Sequence, residues 1–329
     1  MNEASRETGG AGERRVALAA PRGAQPKVGD LMWSKRAAIL LVACLLPASS
    51  LGAQPSAEEI MQALRTATIR SWEVRIKPAF GKTLEREYPG LVDAVRLEVV
   101  PYSDFNAFAD VGRRRIAVPI GFVSGVHTIA HAATLTYYLP GKRPDLEAYV
   151  AYAARTYLEA TQKAGEPVVP QTFREFAGIS SAQNEQIFQD PKASYLLESM
   201  MVDSLALIFG HELGHIALRH KPSGSIPAAE SRRQETAADA FAARLALRAG
   251  FSAAAGVTTT YVFFALIDAG GRKSTHPEPP CRIVRILQRS DLETIMNDKA
   301  GRAGIERAGK TVPQIREELR KLGQGCAPH

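Results

Sequence analysis

The amino-acid sequence predicts a mainly helical α+β fold with one small sheet. Extended patterns are confined to residues 96–120, and strand signals nearly vanish beyond residue 122. From there on, helical ranges alternate with proline-marked loops. The composition, 45% hydrophobic and 23% charged over 329 residues, is typical of a globular chain with an ample core.

The sheet is predicted near the start of the folded region. Glu58 to Arg70 predicts a helix, and Arg96 to Tyr102 predicts a strand after a mixed polar stretch. Asn106–Ala109 and Arg115–Ile120 are two further extended runs. Because Asp110–Gly112 between them supplies a turn, the two runs predict a β-hairpin.

The later chain is predicted to be helical over residues 122–138, 144–163, 193–220, 231–249 and 252–269. Loops are predicted at Pro167–Pro170 and Pro222–Pro227. The apolar stretch Phe251–Asp268 approaches the length of a membrane span, but its Ser252 and Thr258–Thr260 favour a buried core helix.

The N-terminal 53 residues have the pattern of a leader followed by an export signal. Residues 1–30 lack periodicity, Lys35 and Arg36 provide positive charge, and Ala37–Leu46 forms a short apolar core. Small residues up to Ala53 complete the pattern of a cleavable signal. We therefore expect an exported protein, located in the periplasm of a bacterium.

Two alternatives stay open for this leader. Leu41–Cys44 is similar to a lipobox, which would anchor the mature chain through a lipid on Cys44, and the apolar core could also act as a short membrane anchor. In each case we expect three parts along the chain: the leader over residues 1–53, a main domain over residues 54–290 and a helical tail over residues 291–329.

The net charge indicates which classes of partner to expect, and the cysteines indicate whether a disulfide can form. Residues 1–53 carry seven basic and four acidic side chains, so the remainder has a formal charge of +4 against +7 for the whole chain. Such a mild excess does not indicate nucleic acid, and the run Arg113–Arg115 is a solvated face or a membrane-surface contact. Cys281 and Cys326 could form a disulfide in an oxidising compartment or remain free thiols.

The most informative motif is His211-Glu-Leu-Gly-His215. On a helix, residues four apart share one face, so both imidazoles can reach one ion. Zinc accepts imidazole nitrogen at about 2.0–2.1 Å. Glu212, beside the first histidine, could serve as general base for metal-activated water.

A second acidic motif completes the predicted ligand set. Glu235 follows His215 by twenty positions, early in the next predicted helix, and Pro222–Pro227 supplies the turn between the two helices. Catalytic zinc sites commonly use two histidines and one carboxylate. Asp239, one turn after Glu235, could accept the other ring N–H of His211 and so fix its tautomer.

These residues resemble the gluzincin metallopeptidases, and more narrowly the family of the CAAX prenyl proteases and the HtpX-type quality-control proteases. The metal motif, the segment Asn106-Ala-Phe-Ala109 and the late segment Thr275-His-Pro277 with Arg282 occur in the family order, over roughly residues 90–290. The resemblance implies a zincin-like helical domain whose small sheet bears a substrate-binding edge strand. Multiple membrane spans and prenylated substrates are not implied.

The resemblance also implies site roles beyond the metal ligands. His276 and Arg282 would act as catalytic residues that stabilise the oxyanion. The backbone of an extended substrate would lie along the segment from Asn106 through Ala107 and Phe108 to Ala109. Without the resemblance, the simplest reading of His276, Arg282 and Asn106 is structural or solvated.

Other histidines carry weaker signals. His127 and His131 are also four apart, but no acidic residue lies between them and no third ligand is apparent nearby. We interpret this pair as structural or solvated, because a metal site needs more than two ligands. His220 is expected to be exposed, on a different part of the helix from His215.

The sequence thus predicts a zinc-dependent endopeptidase with one zinc ion per chain, acting on envelope proteins or peptides. A non-proteolytic zinc-bound chaperone or binding protein of the envelope is the alternative, and a metal-free helical envelope protein is a third. Nucleic acid is not an expected partner. Membrane-surface association and oligomeric state are left open.

Overall fold

A computed structural model of the protein describes residues 56–102, 105–139, 145–162, 170–252, 256–257 and 279–289, with four positions of the C-terminal tail. The predictions for the leader, for Cys44, for His276 and for Cys326 lie outside these residues. So do most of the helix predicted over 252–269, most of the tail, and all but the last residue of the Pro167–Pro170 loop.

The described residues fold as predicted into a mainly helical α+β structure. Their helices are α1 (Ala57–Ser71), α2 (Lys77–Leu84), α3 (Ile120–Tyr138), α4 (Leu146–Gln162), α5 (Phe173–Phe176), α6 (Ser181–Gln189), α7 (Pro191–Ala217), α8 (Ala228–Arg248) and α9 (Pro279–Arg289). Their strands are β1 (Arg96–Val100), β2 (Phe108–Asp110) and β3 (Arg115–Pro119).

The small sheet has the strand order β1-β3-β2. β3 pairs in parallel with β1 and antiparallel with β2, so the predicted hairpin is present and β2 is an edge strand. The paired part of β2 begins at Phe108, later than predicted, and includes Asp110. Asp110 Oδ1 accepts the backbone N–H of Arg113 at 3.0 Å, and Arg114 has a positive φ of 49°, so the turn itself occupies residues 111–114.

The first helices form one side of the core. Ser56 begins α1 through a capping box with Glu59, in which each side chain accepts the other's backbone N–H. A π-helical turn over Trp72–Ile76 joins α1 to α2 and fully buries both of its terminal side chains. Trp72 meets Phe209 of α7 edge to face, with ring centroids 5.5 Å apart. Full burial of a phenylalanine such as Phe209 stabilises the fold by roughly 1.5–3 kcal/mol.

Helices α4, α5 and α6 pack around α3 through two small apolar clusters. Tyr157 of α4 is fully buried, and its hydroxyl lies 2.9 Å from Ser124 Oγ on α3. Tyr149 and Phe173 pack edge to face at 5.0 Å in the second cluster. The short α5 and α6 begin with capping boxes at Thr172 and Ser180, which the hydrophobic pattern alone did not predict.

The long helix α7 runs through the main core beside α8. Asp190 caps its start by accepting the backbone N–H of Lys192, and Pro191 follows at the first helical position. By length and composition α7 could cross a membrane, but 56% of its most apolar window is buried inside the protein. That burial is typical of a core helix.

Candidate metal centre

Two glycines of α7 allow α8 to come close. A Cβ at Gly210 would lie 3.3 Å from Ala242 Cα, and a Cβ at Gly214 would lie 3.2 Å from Ala238 Cα. Gly210 thus faces Ala242, and Gly214, further along α7, faces the earlier residue Ala238 of α8. The two helices therefore run antiparallel. Since a larger side chain at either glycine would push α8 away, this spacing brings Glu235 within reach of the α7 histidines.

Three side chains converge in this region. His211 Nε2 and His215 Nε2 lie 3.1 Å apart. Glu235 Oε2 lies 3.3 Å from the first nitrogen, and Glu235 Oε1 lies 3.5 Å from the second. One potential ligand atom from each residue lies within 4.8 Å of the others, so the set could hold a metal ion.

The donor set fits a divalent metal of the zinc type. Two imidazoles and one carboxylate are ligands that zinc takes readily. The pKa values of the two histidines shift in opposite directions. Burial would lower the pKa of His211, but hydrogen bonds and negative charge from Asp239 and Glu235 raise it to about 10. Burial and the charge on His211 lower the pKa of His215 to about 3. The two carboxylates therefore favour one positive charge on His211, and that charge together with burial disfavours a second one on His215.

A carboxylate and an arginine side chain lie behind His211. Asp239 Oδ1 is 2.8 Å from His211 Nδ1, which is the contact expected from the sequence. Arg282 of α9 grips the same carboxylate with two hydrogen bonds of 2.8 Å, from Nε to Oδ2 and from Nη2 to Oδ1. Burial would raise the pKa of Asp239, but the charge and hydrogen bonds of Arg282 hold it far below its usual value. Asp239 is therefore an ionised acceptor that orients the His211 ring.

Glu212 is buried and lines the same cleft as His211, His215 and Glu235. Burial and the neighbouring carboxylates raise its pKa to about 7, although His211 and Arg282 oppose the shift. A carboxylate of this kind can accept and return a proton near neutral pH.

An open cleft runs past these residues and along the free edge of the sheet. It is lined on the sheet side by residues 106–112 and by Arg115, and on the helical side by residues of α7, α8 and the loop between them. Its volume is about 650 Å³. Because β2 is an edge strand, its backbone groups are available to an added strand along this cleft.

The structure places the expected site residues as follows. His211, Glu212, His215 and Glu235 lie together, with Asp239 behind His211. Asn106, Ala107, Phe108 and Ala109 line the sheet side of the same cleft. Arg282 holds Asp239 and lies 3.7 Å from Glu235, an arrangement that the expected oxyanion role did not anticipate.

The expectation for His220 is wrong. Helix α7 ends at Ala217 and not at residue 220, and His220 is half-buried with its Nδ1 3.0 Å from Nδ1 of His215. The sequence did not predict the chain reversal at Arg219, which has a positive φ of 53° although it is not a glycine. An arginine does not indicate a turn of this kind.

One comparison with known proteins finds a family match over the residues of the site. Residues 147–298, slightly less than half of the chain, match the family Peptidase U49. The matched range contains every metal-facing residue named above and Arg282, but not the sheet. Neither a curated protein nor a solved structure matches the chain significantly. The match supports a peptidase family for the domain that holds the candidate metal centre, and it does not single out the CAAX prenyl protease or HtpX-type proteases.

Proposed function

We propose that the protein is a zinc-dependent endopeptidase. The observation that carries the proposal is the convergence of His211, His215 and Glu235 beside a buried Glu212, in a cleft bordered by a free strand edge. The match to a peptidase family supports hydrolysis of peptide bonds. When bound, the metal would supply a Lewis acid that activates water and polarises a carbonyl group.

The residues of the chain divide the remaining work. β2 binds the extended substrate backbone, and Asn106 lies at the cleft where that backbone would begin to pair. Glu212 accepts a proton from water and returns it to the leaving amine. Asp239 holds His211, and Arg282 keeps Asp239 ionised while balancing the negative charge of Glu235.

We further propose that the enzyme acts on envelope proteins after export. The pattern of the leader supports this location, and Cys281 is disulfide-bonded, as is usual in oxidising compartments. Its expected partner Cys326 lies outside the described residues. The exported chain would meet protein or peptide substrates, with no nucleic acid among its partners.

The decisive experiment compares Glu212→Gln with the wild type. We expect the variant to keep one zinc per chain and to lose about 10²–10⁴-fold in cleavage rate, because the amide cannot accept the proton. Zinc would be counted by elemental analysis and cleavage followed on casein and on a quenched peptide library. Glu185→Gln, at an exposed glutamate of α6, is the matched control and should cleave at the normal rate.

Each other outcome points to a different function. Stoichiometric zinc without cleavage by the wild type would favour a zinc-bound chaperone or binding protein. Only trace zinc in protein purified without chelator would favour a metal-free structural protein. Normal cleavage by Glu212→Gln would overturn the assignment of the base.

A further inference from the structure

The end of α7 folds His220 back onto the helix. Leu218 is the last helical cap, and Arg219 takes the left-handed conformation with φ of 53°. Arg219 N–H then donates to the carbonyl oxygen of Ile216 at 3.2 Å, and His220 N–H donates to that of His215 at 3.0 Å. These two bonds form a complete Schellman motif. The helix terminus itself therefore fixes the backbone of His220 against the turn that carries His215.

This backbone arrangement places the two imidazoles edge to face. Their ring centroids are 4.9 Å apart with planes at 80°, and the two Nδ1 atoms are 3.0 Å apart. A hydrogen bond between two ring nitrogens needs one N–H and one lone pair. The distance between the two Nδ1 atoms does not show which ring donates the proton. The role of His215 Nε2, the other ring nitrogen, decides it.

His215 Nε2 is the atom that faces His211 and Glu235. To bind a metal it must present a lone pair, and a neutral imidazole carries its single proton on the other nitrogen. His215 is then protonated at Nδ1 and donates to His220 Nδ1. It follows that His220 carries its own proton on Nε2.

We propose that His220 is a positioning residue for the metal centre: it accepts the Nδ1–H of His215 and so fixes the tautomer and the ring orientation of this ligand. The inference rests on the proposed metal site and deepens it. Among the residues that the structure describes, each of the two histidine ligands then has its own hydrogen-bond acceptor. Asp239 accepts from His211, and His220 accepts from His215. Partners of this kind hold ligand rings in place and are worth about 10–100-fold in metal affinity.

The choice of an imidazole as acceptor has a chemical consequence. A carboxylate behind both histidines would add a second negative charge near an ion that already faces Glu235. His220 orients His215 without adding charge. The centre therefore has one charged acceptor, Asp239, and one neutral acceptor, His220. This pairing preserves the electron-withdrawing power of a bound metal.

The experiment uses two replacements with the same number of side-chain heavy atoms. In His220→Asn the side-chain oxygen can occupy the place of Nδ1 and accept the same hydrogen bond, whereas His220→Leu is branched at the same carbon and has no acceptor. Zinc affinity of the full-length protein would be measured by competition with a chromophoric chelator at constant pH. We expect the Leu variant to bind zinc about 10–100-fold more weakly and the Asn variant to stay within about threefold of the wild type.

A backbone control separates the turn from the side chain. Arg219→Gly keeps the left-handed conformation at lower strain, so zinc affinity should be unchanged. Circular dichroism of the metal-free proteins checks that all variants fold. If the Leu variant does not fold, His220→Ala provides the same comparison at this half-buried position.

Equal zinc affinity of the wild type and the Leu variant would overturn the role of His220 while leaving the metal site intact. An equal loss in the Asn and Leu variants would also overturn it, because the acceptor would then not matter. Absence of stoichiometric zinc in the wild type would instead overturn the proposed function, and this inference with it.

Discussion

The chain contains two histidine pairs with the same spacing on two different helices. In α3, His127 and His131 stack at 5.9 Å between ring centroids, with planes 24° apart. In α7, His211 and His215 lie at 4.8 Å with planes 71° apart. Burial lowers the pKa of His127 to about 4, whereas that of His211 is raised to about 10 against burial. The first histidine of each pair therefore lies in an opposite electrostatic environment, whereas the second histidine, His131 or His215, has a lowered pKa in both pairs.

The neighbouring elements explain the contrast. His131 stacks on Phe188 of α6, with centroids 5.2 Å apart, and feels the positive charge of Arg174. His127 lines a largely apolar cavity. The α7 pair instead meets the carboxylates of α8. Four-residue spacing only places two rings on one helical face, and the side chains of the adjacent helix decide whether the pair attracts or excludes a cation.

The largest effect is expected from the same substitution made in both pairs. His211→Gln removes a nitrogen ligand and should weaken zinc binding by more than about 100-fold, because fewer strong donors remain. His127→Gln removes the equivalent histidine of α3 and should leave zinc affinity unchanged. Chelator competition on the two variants measures both. Comparable losses in zinc binding would show that the α3 pair contributes to the metal site, and the contrast between the pairs would fail.

A smaller effect is expected from the carboxylate behind His211. Asp239→Asn removes the charge that holds His211 and breaks the ion pair between Asp239 and Arg282, so zinc affinity should fall about 10–100-fold. Asp203→Asn is the matched control: Asp203 is a half-buried carboxylate on α7 that accepts the backbone N–H of Ser252 at 3.1 Å. Its variant should bind zinc normally. A similar decrease in both would mean that zinc binding responds to general stability rather than to Asp239.

Most of the candidate site was predictable from the sequence because helices fix the spacing of their residues. Once α7 and α8 are recognised as helices, residues four apart must share a face, and the proline-marked loop must return the chain. The family resemblance then singled out Asn106–Ala109, which lies along the cleft. The fold class followed in the same way, because long periodic segments are the most readable elements.

What the sequence did not reveal depends on backbone conformations with no residue signature. Arg219 adopts a positive φ in a place where glycine would be expected, so His220 was assigned to the wrong surroundings. The π-helical turn at Trp72–Ile76 and the short α5 and α6 leave no clear hydrophobic period. The parallel pairing of β1 with β3 is a long-range contact, which the local sequence pattern does not predict.

The smallest expected effect concerns the α3 pair and acid stability. Burial, with the charges of His127 and Arg174, lowers the pKa of His131 to about 3, so the native state resists its protonation. The unfolded chain takes up that proton near pH 6.5. Stability from this residue is therefore complete above pH 6.5 and declines as the pH falls towards 3.

His131→Phe keeps a ring against Phe188 but cannot be protonated. Denaturant unfolding with excess chelator, at pH 7 and at pH 4.5, should show the wild type losing about 1–3 kcal/mol more than the variant between the two values. Every other titrating group, including those of the metal centre, is common to both proteins and cancels in this difference. Parallel losses would mean that the His131 ring is solvated in the native state. The two histidine pairs would then differ only in their carboxylate neighbours, and not in the burial of the α3 pair as well.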